Sequence, residues 1–274
     1  MGDNWGDEME LLECKTDIGL VRNQNEDSVL ILKHKKNKNI KLLICADGMG
    51  GREYGEIASN YVKESLEKWF QKKEIKNLNN TSKMEKLLPR YFKTMNTNLI
   101  KKYGEDKLGT TLTIALITKK NTLICNIGDS RAYIYKKRKL IQITEDDSDV
   151  WEYYEKKKVK KDDLRFFSNN NIITACIGIC KELCIPTTYK IENDYDILFL
   201  FTDGVTDCLT DKKIKKIIKK RPKNFLLQEI INEAVYVDQK YHLPWYLRRK
   251  KYVKYNIPQN GRDNASGAIY IKNV

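Results

Sequence analysis

The sequence predicts an α+β fold in a single domain. Short apolar segments follow one another with few intervening residues, which favours antiparallel strands. Two longer stretches, 55–70 and 82–102, instead repeat apolar residues at the spacing of an amphipathic helix. The 274 residues contain no composition break or low-complexity linker. We therefore expect residues 10–274 to form one domain behind a flexible N-terminus at 1–9.

The strands are predicted in two groups, one before and one after the two long helices. The first group comprises 9–16, 28–33 and 40–46, and a polar loop at 73–81 joins the helices. The second group comprises 110–117, 122–127, 131–135, 140–144, 184–191, 196–201 and 266–272. Segment 196–201 is almost wholly apolar, which favours the centre of a sheet. Two further helices are predicted at 210–220 and 224–237, separated by Pro222.

The charge of the chain is strongly basic. It has 51 Lys and Arg against 37 Asp and Glu, a net charge of +14, which is common in proteins that bind nucleic acid or an anionic surface. The basic residues are concentrated in runs at 35–41, 156–161, 212–223 and 248–254. We interpret these runs as a solvated face and do not expect a nucleic-acid partner. Without an apolar run that could cross a bilayer or a secretion signal, we expect a cytoplasmic monomer.

The cysteines and histidines predict structural rather than metal-binding roles. Most of the seven cysteines stand in apolar contexts, which predicts reduced, buried side chains. Cys176, Cys180 and Cys184 recur at every fourth position, but no fourth Cys or His lies near them, so a zinc site is not expected. His34 and His242 are the only histidines, and we expect both at the surface.

Five acidic turns dominate the functional interpretation. Asp47-Gly48-Met49-Gly50-Gly51 follows an apolar strand and precedes a helix, and its glycines allow the backbone to approach a ligand closely. The other four turns are Asn25-Glu26-Asp27, Gly128-Asp129-Ser130-Arg131, Thr202-Asp203-Gly204 and Gly261-Arg262-Asp263-Asn264. Each one alone is typical of an ordinary turn or a helix N-cap. All five together predict one converged acidic centre.

Such a centre predicts bound cations. Clustered aspartates repel one another, and oxygen ligands with few histidines favour Mg²⁺ or Mn²⁺ over zinc. Two such ions sharing a carboxylate can lower the pKa of a bridging water until hydroxide is available near neutral pH, the nucleophile for phosphoester hydrolysis. A guanidinium suits the phosphate oxygens, and Arg22 lies four residues before Glu26.

The motifs also stand in an order that matches a known family. In sequence they are Asp17-Ile18-Gly19, Arg22, Asn25-Glu26-Asp27, Asp47-Gly48-Met49-Gly50-Gly51, Leu108-Gly109-Thr110-Thr111, Gly128-Asp129-Ser130-Arg131, Thr202-Asp203-Gly204 and Asp263-Asn264. Over about residues 10–273 the chain resembles the metal-dependent type 2C serine/threonine protein phosphatases, particularly their compact bacterial branch. The resemblance implies a four-layer α-β-β-α sandwich of two antiparallel sheets flanked by helices, with the metal centre at one end.

The resemblance implies a metal ligand set. Asp47 would bridge two Mg²⁺ or Mn²⁺ ions, and the carbonyl of Gly48 would bind one of them. Asp203 and Asp263 would complete the shell of the first ion.

The resemblance also implies roles around that set. Asp27 and Glu26 would act largely through metal-bound water, and Asn264 is expected beside the ligands. Asp129 matches a position that binds a third ion in several members. Arg22 would hold the substrate phosphate.

The chain departs from the family pattern at two positions near the site. Bacterial members often have His after the glycine motif, where this chain has Arg52, and the common Asp-His-Ser is Asp146-Asp147-Ser148 here. Some other members place His after the Asp-Gly pair, but this chain has Met49 there, as the bacterial relatives do. The general acid is therefore left unassigned, and a metal-bound water could take this role.

Two segments are expected to shape the substrate site. Residues 145–171 are highly charged with interleaved aromatic residues, which predicts a surface subdomain or flap. Residues 236–260 form an irregular basic loop that is longer than in the compact bacterial pattern. Our hypothesis is that both segments select an acidic phosphoprotein, the loop through Arg248, Arg249, Lys250 and Lys251.

The predicted function is metal-dependent hydrolysis of phosphoserine and phosphothreonine in proteins, counteracting a serine/threonine kinase. The alternative is a catalytically silent phosphatase-like module that binds a phosphoprotein or nucleic acid. Such a module would be expected to lose one of Asp47, Asp203 or Asp263, and all three are present. The sequence does not distinguish a broad substrate range from one dedicated regulatory phosphoprotein.

Overall fold

Two antiparallel sheets form the centre of the computed structural model, which describes residues 9–50, 54–156, 158–237, 244, 246–247, 254–255 and 258–272. The strands are β1 (Leu11–Asp17), β2 (Asp27–His34), β3 (Asn37–Met49), β4 (Gly109–Thr110), β5 (Leu112–Ile117), β6 (Asn121–Ile127), β7 (Arg131–Lys136), β8 (Lys139–Gln142), β9 (Thr187–Glu192), β10 (Ile197–Phe201) and β11 (Ala265–Ile271). One sheet has the order β1-β11-β10-β7-β8, and the other β2-β3-β5-β6-β9 with β4 paired to β3.

Alternating side chains of the central strands supply two separate cores. In β3, Leu43 and Cys45 lie in the cluster between the sheets, while Leu42 and Ile44 belong to the cluster under the helices. A strand buried on both faces has no polar face to expose, so its sequence is continuously apolar. The same holds for β10, whose five residues are all buried. This confirms the predicted central position of the 196–201 segment.

Helices cover both outer faces of the sandwich. They are α1 (Gly55–Lys72), α2 (Ile75–Leu78), α3 (Thr81–Tyr103), α4 (Trp151–Glu155), α5 (Asp203–Thr206), α6 (Asp211–Lys220) and α7 (Leu226–Val235). Helices α1 and α3 cover one sheet with apolar residues at helical spacing, and α6 and α7 cover the other. The four-layer α-β-β-α fold is therefore confirmed. In the described part of the chain, no helix is both long and apolar enough to cross a membrane.

Three sequence expectations were wrong in this part of the molecule. The loop at 73–81 contains helix α2, because Leu78 is fully buried in the core. Cys45, Cys125 and Cys208 are buried as expected, but three cysteines that we expected in the core are exposed. They are Cys14, which lies on the edge strand β1, and Cys180 and Cys184, which lie in the segment before β9.

The predicted surface position of His34 was also wrong, because the residue is buried with only 1% of its surface exposed. Its Nε2 lies 3.1 Å from the carbonyl oxygen of Lys73, and its Nδ1 accepts a hydrogen bond from the N–H of Lys36. The ring meets the edge of Phe70 with centroids 5.4 Å apart. Because both ring nitrogens have backbone partners, the imidazole is buried at little cost. The expectation for His242 lies outside the described residues.

Segment 145–171 has an apolar cluster of its own. It contains α4 and a 3₁₀ helix at Lys161–Phe166. The aromatic residues that suggested a surface flap pack together with residues of the loop at 236–260. The buried members are Val150, Trp151, Val159, Leu164, Phe166, Phe167 and Leu247, with Tyr153, Tyr246 and Tyr255 around them. The departure at Arg52 and the basic run 248–251 lie outside the described residues.

Candidate metal centre

The acidic residues are brought to one end of the sandwich by the strand topology. Asp27 begins β2 and Asp47 stands near the end of β3, and antiparallel pairing places the two directly opposite each other. Asp203 follows β10, and Asp263 stands just before β11, the neighbour of β10. Strand ends that are distant in sequence therefore meet at the same end of the sandwich. Asp129, in the tight turn before β7, completes the cluster.

Asp47 is held by two threonines of the Leu108-Gly109-Thr110-Thr111 motif. Its N–H donates to Oγ1 of Thr111 at 2.9 Å, and its carbonyl accepts from Oγ1 of Thr110 at 2.9 Å and from the N–H of Thr111 at 2.9 Å. The backbone of this aspartate is thus fixed on both sides. Sequence analysis recognised the threonine motif without giving it this role.

Several carboxylate oxygens of the cluster are buried without a protein partner. Oδ2 of Asp27 accepts a hydrogen bond from Oγ1 of Thr202 at 2.9 Å. Oδ1 of Asp27, of Asp129 and of Asp203 has no hydrogen-bond donor among the described residues. An unpartnered buried carboxylate is strongly unfavourable unless a cation or a proton compensates it. The cluster therefore fits a bound cation.

The pKa values of the carboxyl groups point the same way. Burial, and then the neighbouring aspartates, raise the pKa of Asp47 and Asp129 well above the usual range of an aspartate. The pKa of Asp27 is also raised well above it, by burial first. Burial and the charge of Asp263 raise the pKa of Asp203 to about 7. Cations would remove this repulsion and let the carboxyl groups ionise.

The acidic side chains would be only part of a metal shell at this site. In the described part of the chain, no three acidic side chains come close enough to enclose an ion by themselves. Mg²⁺ usually keeps several waters and takes only one or two carboxylates. An open carboxylate cluster with unpartnered oxygens suits such an ion better than zinc, which prefers a closed set of nitrogen and sulfur ligands.

Two glycines let the segments of the centre approach closely. A Cβ atom on Gly48 would lie 2.2 Å from the carbonyl oxygen of Gly55 and 2.6 Å from that of Glu26. A Cβ atom on Gly204 would lie 2.0 Å from the carbonyl oxygen of Asn264. No side chain fits at these distances, so these glycines are required by space rather than by flexibility.

Arg22 reaches the cluster from the turn before β2. Its Nη2 donates to Oδ2 of Asp263 at 2.6 Å, and its Nη1 lies 3.7 Å from Oε2 of Glu26. The side chain is 45% exposed, so it stands at the rim. Asn264 fixes the same turn, because its Oδ1 accepts from the N–H of Glu26 and its Nδ2 donates to two carbonyls of the 17–25 segment. The arginine and the acidic cluster are thus held in one frame.

Three side chains near the centre were not predicted from the sequence, namely Asp207, Asn170 and Arg165. Asp207 lies one helical turn after Asp203, and burial raises its pKa to about 6. Its Oδ2 accepts from Nδ2 of Asn170 at 2.7 Å, and its carbonyl accepts from Nη1 of Arg165 at 3.0 Å. A cavity of about 200 Å³ opens here between Arg22, Arg165 and the acidic cluster. The spacing of four residues from Asp203 was the available clue.

The departure at 146–148 has a structural explanation. Arg131 of the Gly-Asp-Ser-Arg motif makes a buried two-pronged contact with Asp146, with N–O distances of 2.6 to 2.9 Å. Oδ2 of Asp147 accepts from the N–H of Gly128 at 2.8 Å. Asp147, at the position where the resemblance implied His, therefore holds the turn that carries Asp129.

Comparison with known proteins identifies the family. Residues 22–234, more than half of the chain, match protein phosphatase 2C. The chain belongs to the protein phosphatase 2C family. It is 31% identical over 215 residues to the serine/threonine phosphatase Stp of Listeria welshimeri, covering 76% of this chain and 83% of that one.

Solved structures of the protein phosphatase 2C fold agree with this assignment. Serine/threonine phosphatase Stp1 from Staphylococcus aureus is 27% identical, with a TM-score of 0.77, over 96% of this chain and 95% of that one. The catalytic domain of the phosphatase PstP, solved in complex with two manganese ions, is 23% identical, with a TM-score of 0.72, over 96% and 98% of the two chains. The family confirms the predicted enzyme class, a metal-dependent protein serine/threonine phosphatase, and gives no support to a silent binding module.

Proposed function

We propose that this end of the sandwich hydrolyses phosphoserine and phosphothreonine esters of proteins with Mg²⁺ or Mn²⁺ held by the acidic cluster. The observation that carries the proposal is the set of buried carboxylate oxygens without hydrogen-bond donors on Asp27, Asp129 and Asp203. Bound divalent ions would supply an activated water and balance the negative charge of the phosphoryl group in the transition state. The side chains and backbone of the chain would hold the ions, orient water and bind the phosphate.

The ligands in this proposal are those of the acidic turns. Asp47, near the end of β3, would be a ligand of two ions, and the backbone carbonyl of Gly48 would bind one of them. Asp203 and Asp263 would complete the first site. Asp129 lines a small cavity together with Asp203 and would help to hold a third ion there.

Around the ligands, four side chains would position the reacting groups. Asp27 and Glu26 would orient water, and Asn264 would keep the Glu26 turn in place through its hydrogen bond to the Glu26 N–H. Arg22 would exchange its carboxylate partner Asp263 for the substrate phosphate. A guanidinium can make this exchange with little change of geometry, because phosphate and carboxylate both accept its parallel N–H groups.

The described histidine does not take part in this reaction. His34 lies under the C-terminal end of α1, while Gly55 at the other end of this 18-residue helix contacts Gly48. A helix of that length spans about 27 Å. The leaving oxygen would therefore be protonated from water at the metal centre rather than from this imidazole.

We extend the proposal to the substrate wall and the cellular setting. Residues 10–274 would act as one domain, with segment 145–171 and the 236–260 loop as the wall, since Arg165, Asn170 and Gln259 line the cavity beside Asp203. A serine/threonine kinase would supply the phosphoprotein. The seven cysteines form no disulfide, which suits a monomer in a reducing cytoplasm.

Hydrolysis of a phosphothreonine peptide tests this function. Phosphate release is expected with Mg²⁺ or Mn²⁺ and not with EDTA, and Asp203→Asn should abolish it. Asp194→Asn is the matched control, because this exposed aspartate lies at the opposite end of the sandwich, paired with Lys136. No release with either metal by a folded protein would overturn the proposal.

A further inference from the structure

Helix α6 carries a row of lysines that the proposed reaction does not use. Lys212, Lys215, Lys216 and Lys219, which we call the basic stripe, follow one another at helical spacing and share one face of the helix. Three of them are exposed and Lys215 is half-buried. None of the four forms an ion pair with a described residue, whereas the neighbouring Lys213 pairs with Glu233 at 2.5 Å.

The basic stripe destabilises the helix that carries it. Like charges four residues apart, such as Lys212 with Lys216, repel each other and destabilise an isolated helix. The helix is held instead by Ile214 and Ile217, which are buried in the cluster beneath α7. A negatively charged ligand on the stripe would relieve the repulsion and leave the buried face undisturbed.

The N-terminal end of the stripe adjoins the candidate active site. Asp207 and Cys208, which line the cavity, lie only a few residues before α6. Oδ2 of Asp211, the first residue of α6, accepts a hydrogen bond from Nζ of Lys161 at 2.5 Å. That lysine begins the 3₁₀ helix whose Arg165 reaches the same cavity. The stripe thus runs from the cavity wall towards the opposite end of the sandwich, where Ile218 borders a second groove.

The chemistry of the stripe favours an acidic polypeptide as its ligand. The apolar face of α6 is already packed in the core, so the helix has none to insert into a bilayer. The stripe contains no aromatic side chain, whereas proteins that bind single-stranded nucleic acid usually stack bases on aromatic rings. What remains is a row of ammonium groups without ion-pair partners among the described residues, which suits carboxylates on an extended chain.

We propose that the basic stripe docks an acidic segment of the phosphoprotein substrate while the phosphorylated residue lies in the cavity. This inference rests on the proposed phosphatase function and specifies its substrate class. Ten residues of helix span about 15 Å, the length of about five extended residues. The acidic segment should therefore lie within about ten residues of the phosphorylated side chain.

Steady-state kinetics with paired peptides test the docking. Each acidic peptide carries four Asp or Glu residues near a phosphothreonine, before it in one version and after it in the other. The partner of each peptide has Asn or Gln at the same four positions. The acidic peptide should have a kcat/KM about tenfold higher, mainly through KM, and the quadruple variant K212Q/K215Q/K216Q/K219Q should remove this preference. Equal kcat/KM values for both peptides in the unmodified enzyme would overturn the proposal.

Helix α3 offers a matched control. Lys83, Lys86, Arg90 and Lys93 form an exposed basic row, at a wider helical spacing, on the outer face of the other sheet. The variant K83Q/K86Q/R90Q/K93Q removes the same net charge and should keep the acidic preference. Loss of the preference in both variants would show that overall charge attracts the peptide, and would overturn a specific role of the stripe.

Direct binding separates this proposal from the phosphatase function itself. Fluorescence anisotropy with a labelled, unphosphorylated acidic peptide should show binding that weakens about tenfold in the stripe variant and in high salt. Hydrolysis of p-nitrophenyl phosphate, which has no polypeptide to dock, should be equal in all variants. Failure of that hydrolysis would count against the metal centre alone. Stripe-dependent binding of an oligonucleotide without peptide binding would overturn the proposal.

Discussion

Asp27 and Asp47 are direct partners in the antiparallel pairing of β2 and β3, so two carboxyl groups face each other across neighbouring strands. Like charges opposite one another destabilise a sheet. The pair is stable only if protons or cations neutralise it, and burial raises the pKa of both groups. Removal of bound metal should therefore leave a protein whose stability depends strongly on pH.

The first prediction concerns this pH dependence. Asp203 has a pKa of about 7 in the folded metal-free protein, against 3.8 for an ordinary aspartate. A group whose pKa is raised binds more protons in the folded state than in the unfolded state. The metal-free protein should therefore lose stability as the pH rises from 3.8 to about 7. Cations bind the ionised form, so the increase in Tm on adding Mn²⁺ should be larger at about pH 7.5 than at about pH 5.5.

Differential scanning fluorimetry with Mn²⁺ or EDTA measures this effect. The variant Asp203→Asn should have a higher Tm than the unmodified protein in EDTA at high pH, because it removes one repelling charge. It should also respond less to Mn²⁺. A metal-induced shift of equal size at both pH values would contradict the interpretation.

A second prediction uses two glycines of one motif. Gly48→Ala would place a Cβ atom 2.2 Å from the carbonyl oxygen of Gly55, so helix α1 would have to move away from β3. We expect loss of activity and a markedly lower Tm. Gly50→Ala meets its nearest atoms at 3.3 Å and should be much milder. Equal effects of the two substitutions, measured by activity and thermal unfolding, would show that close packing at Gly48 is unimportant.

The third prediction concerns Arg22. Arg22→Ala should raise KM for a phosphothreonine peptide and lower kcat/KM by about 100-fold, because a guanidinium contact to the phosphate is lost. Arg22→Lys should recover only part of the activity, since an ammonium group makes no two-pronged contact. The Tm should change little, because the ion pair with Asp263 is partly exposed and screened by solvent. Full activity in Arg22→Lys would argue for a simple charge effect.

A fourth prediction concerns the buried pair Arg131 and Asp146. Asp146→Ala should cost about 3–5 kcal/mol of unfolding free energy, because it leaves a buried guanidinium without its carboxylate. The apolar double variant Arg131→Met/Asp146→Leu should recover much of this loss. Urea denaturation of both variants checks the expectation. A double variant as unstable as the single one would mean that the pair contributes more than its charges.

The acidic turns and their meeting point could be predicted from the sequence because each turn has a local signature. A carboxylate beside glycine at the end of an apolar strand marks a strand-to-loop junction, and antiparallel strands bring such junctions together. Asp47 and Asp203 were found in this way. The alternation that separates Leu42 from Leu43 likewise follows from the period of a strand.

Other features depend on contacts between distant segments and leave little trace in the sequence. The burial of His34 depends on the carbonyl of Lys73, 39 residues later. Asp207 becomes part of the site through Asn170, and no local pattern links these two positions. The aromatic residues of segment 145–171 looked like surface residues because they follow no helix or strand period, yet they pack on one another and on residues of the 236–260 loop.

The separate apolar cluster of segment 145–171 has an evolutionary consequence. In the part of the chain that the structure describes, its aromatic and aliphatic side chains form a unit distinct from the three clusters that hold the sheets and helices. Substitutions there can reshape the rim of the cavity without disturbing the scaffold that fixes the aspartates. One unchanged hydrolytic centre can thus acquire new targets by gradual redesign of its rim.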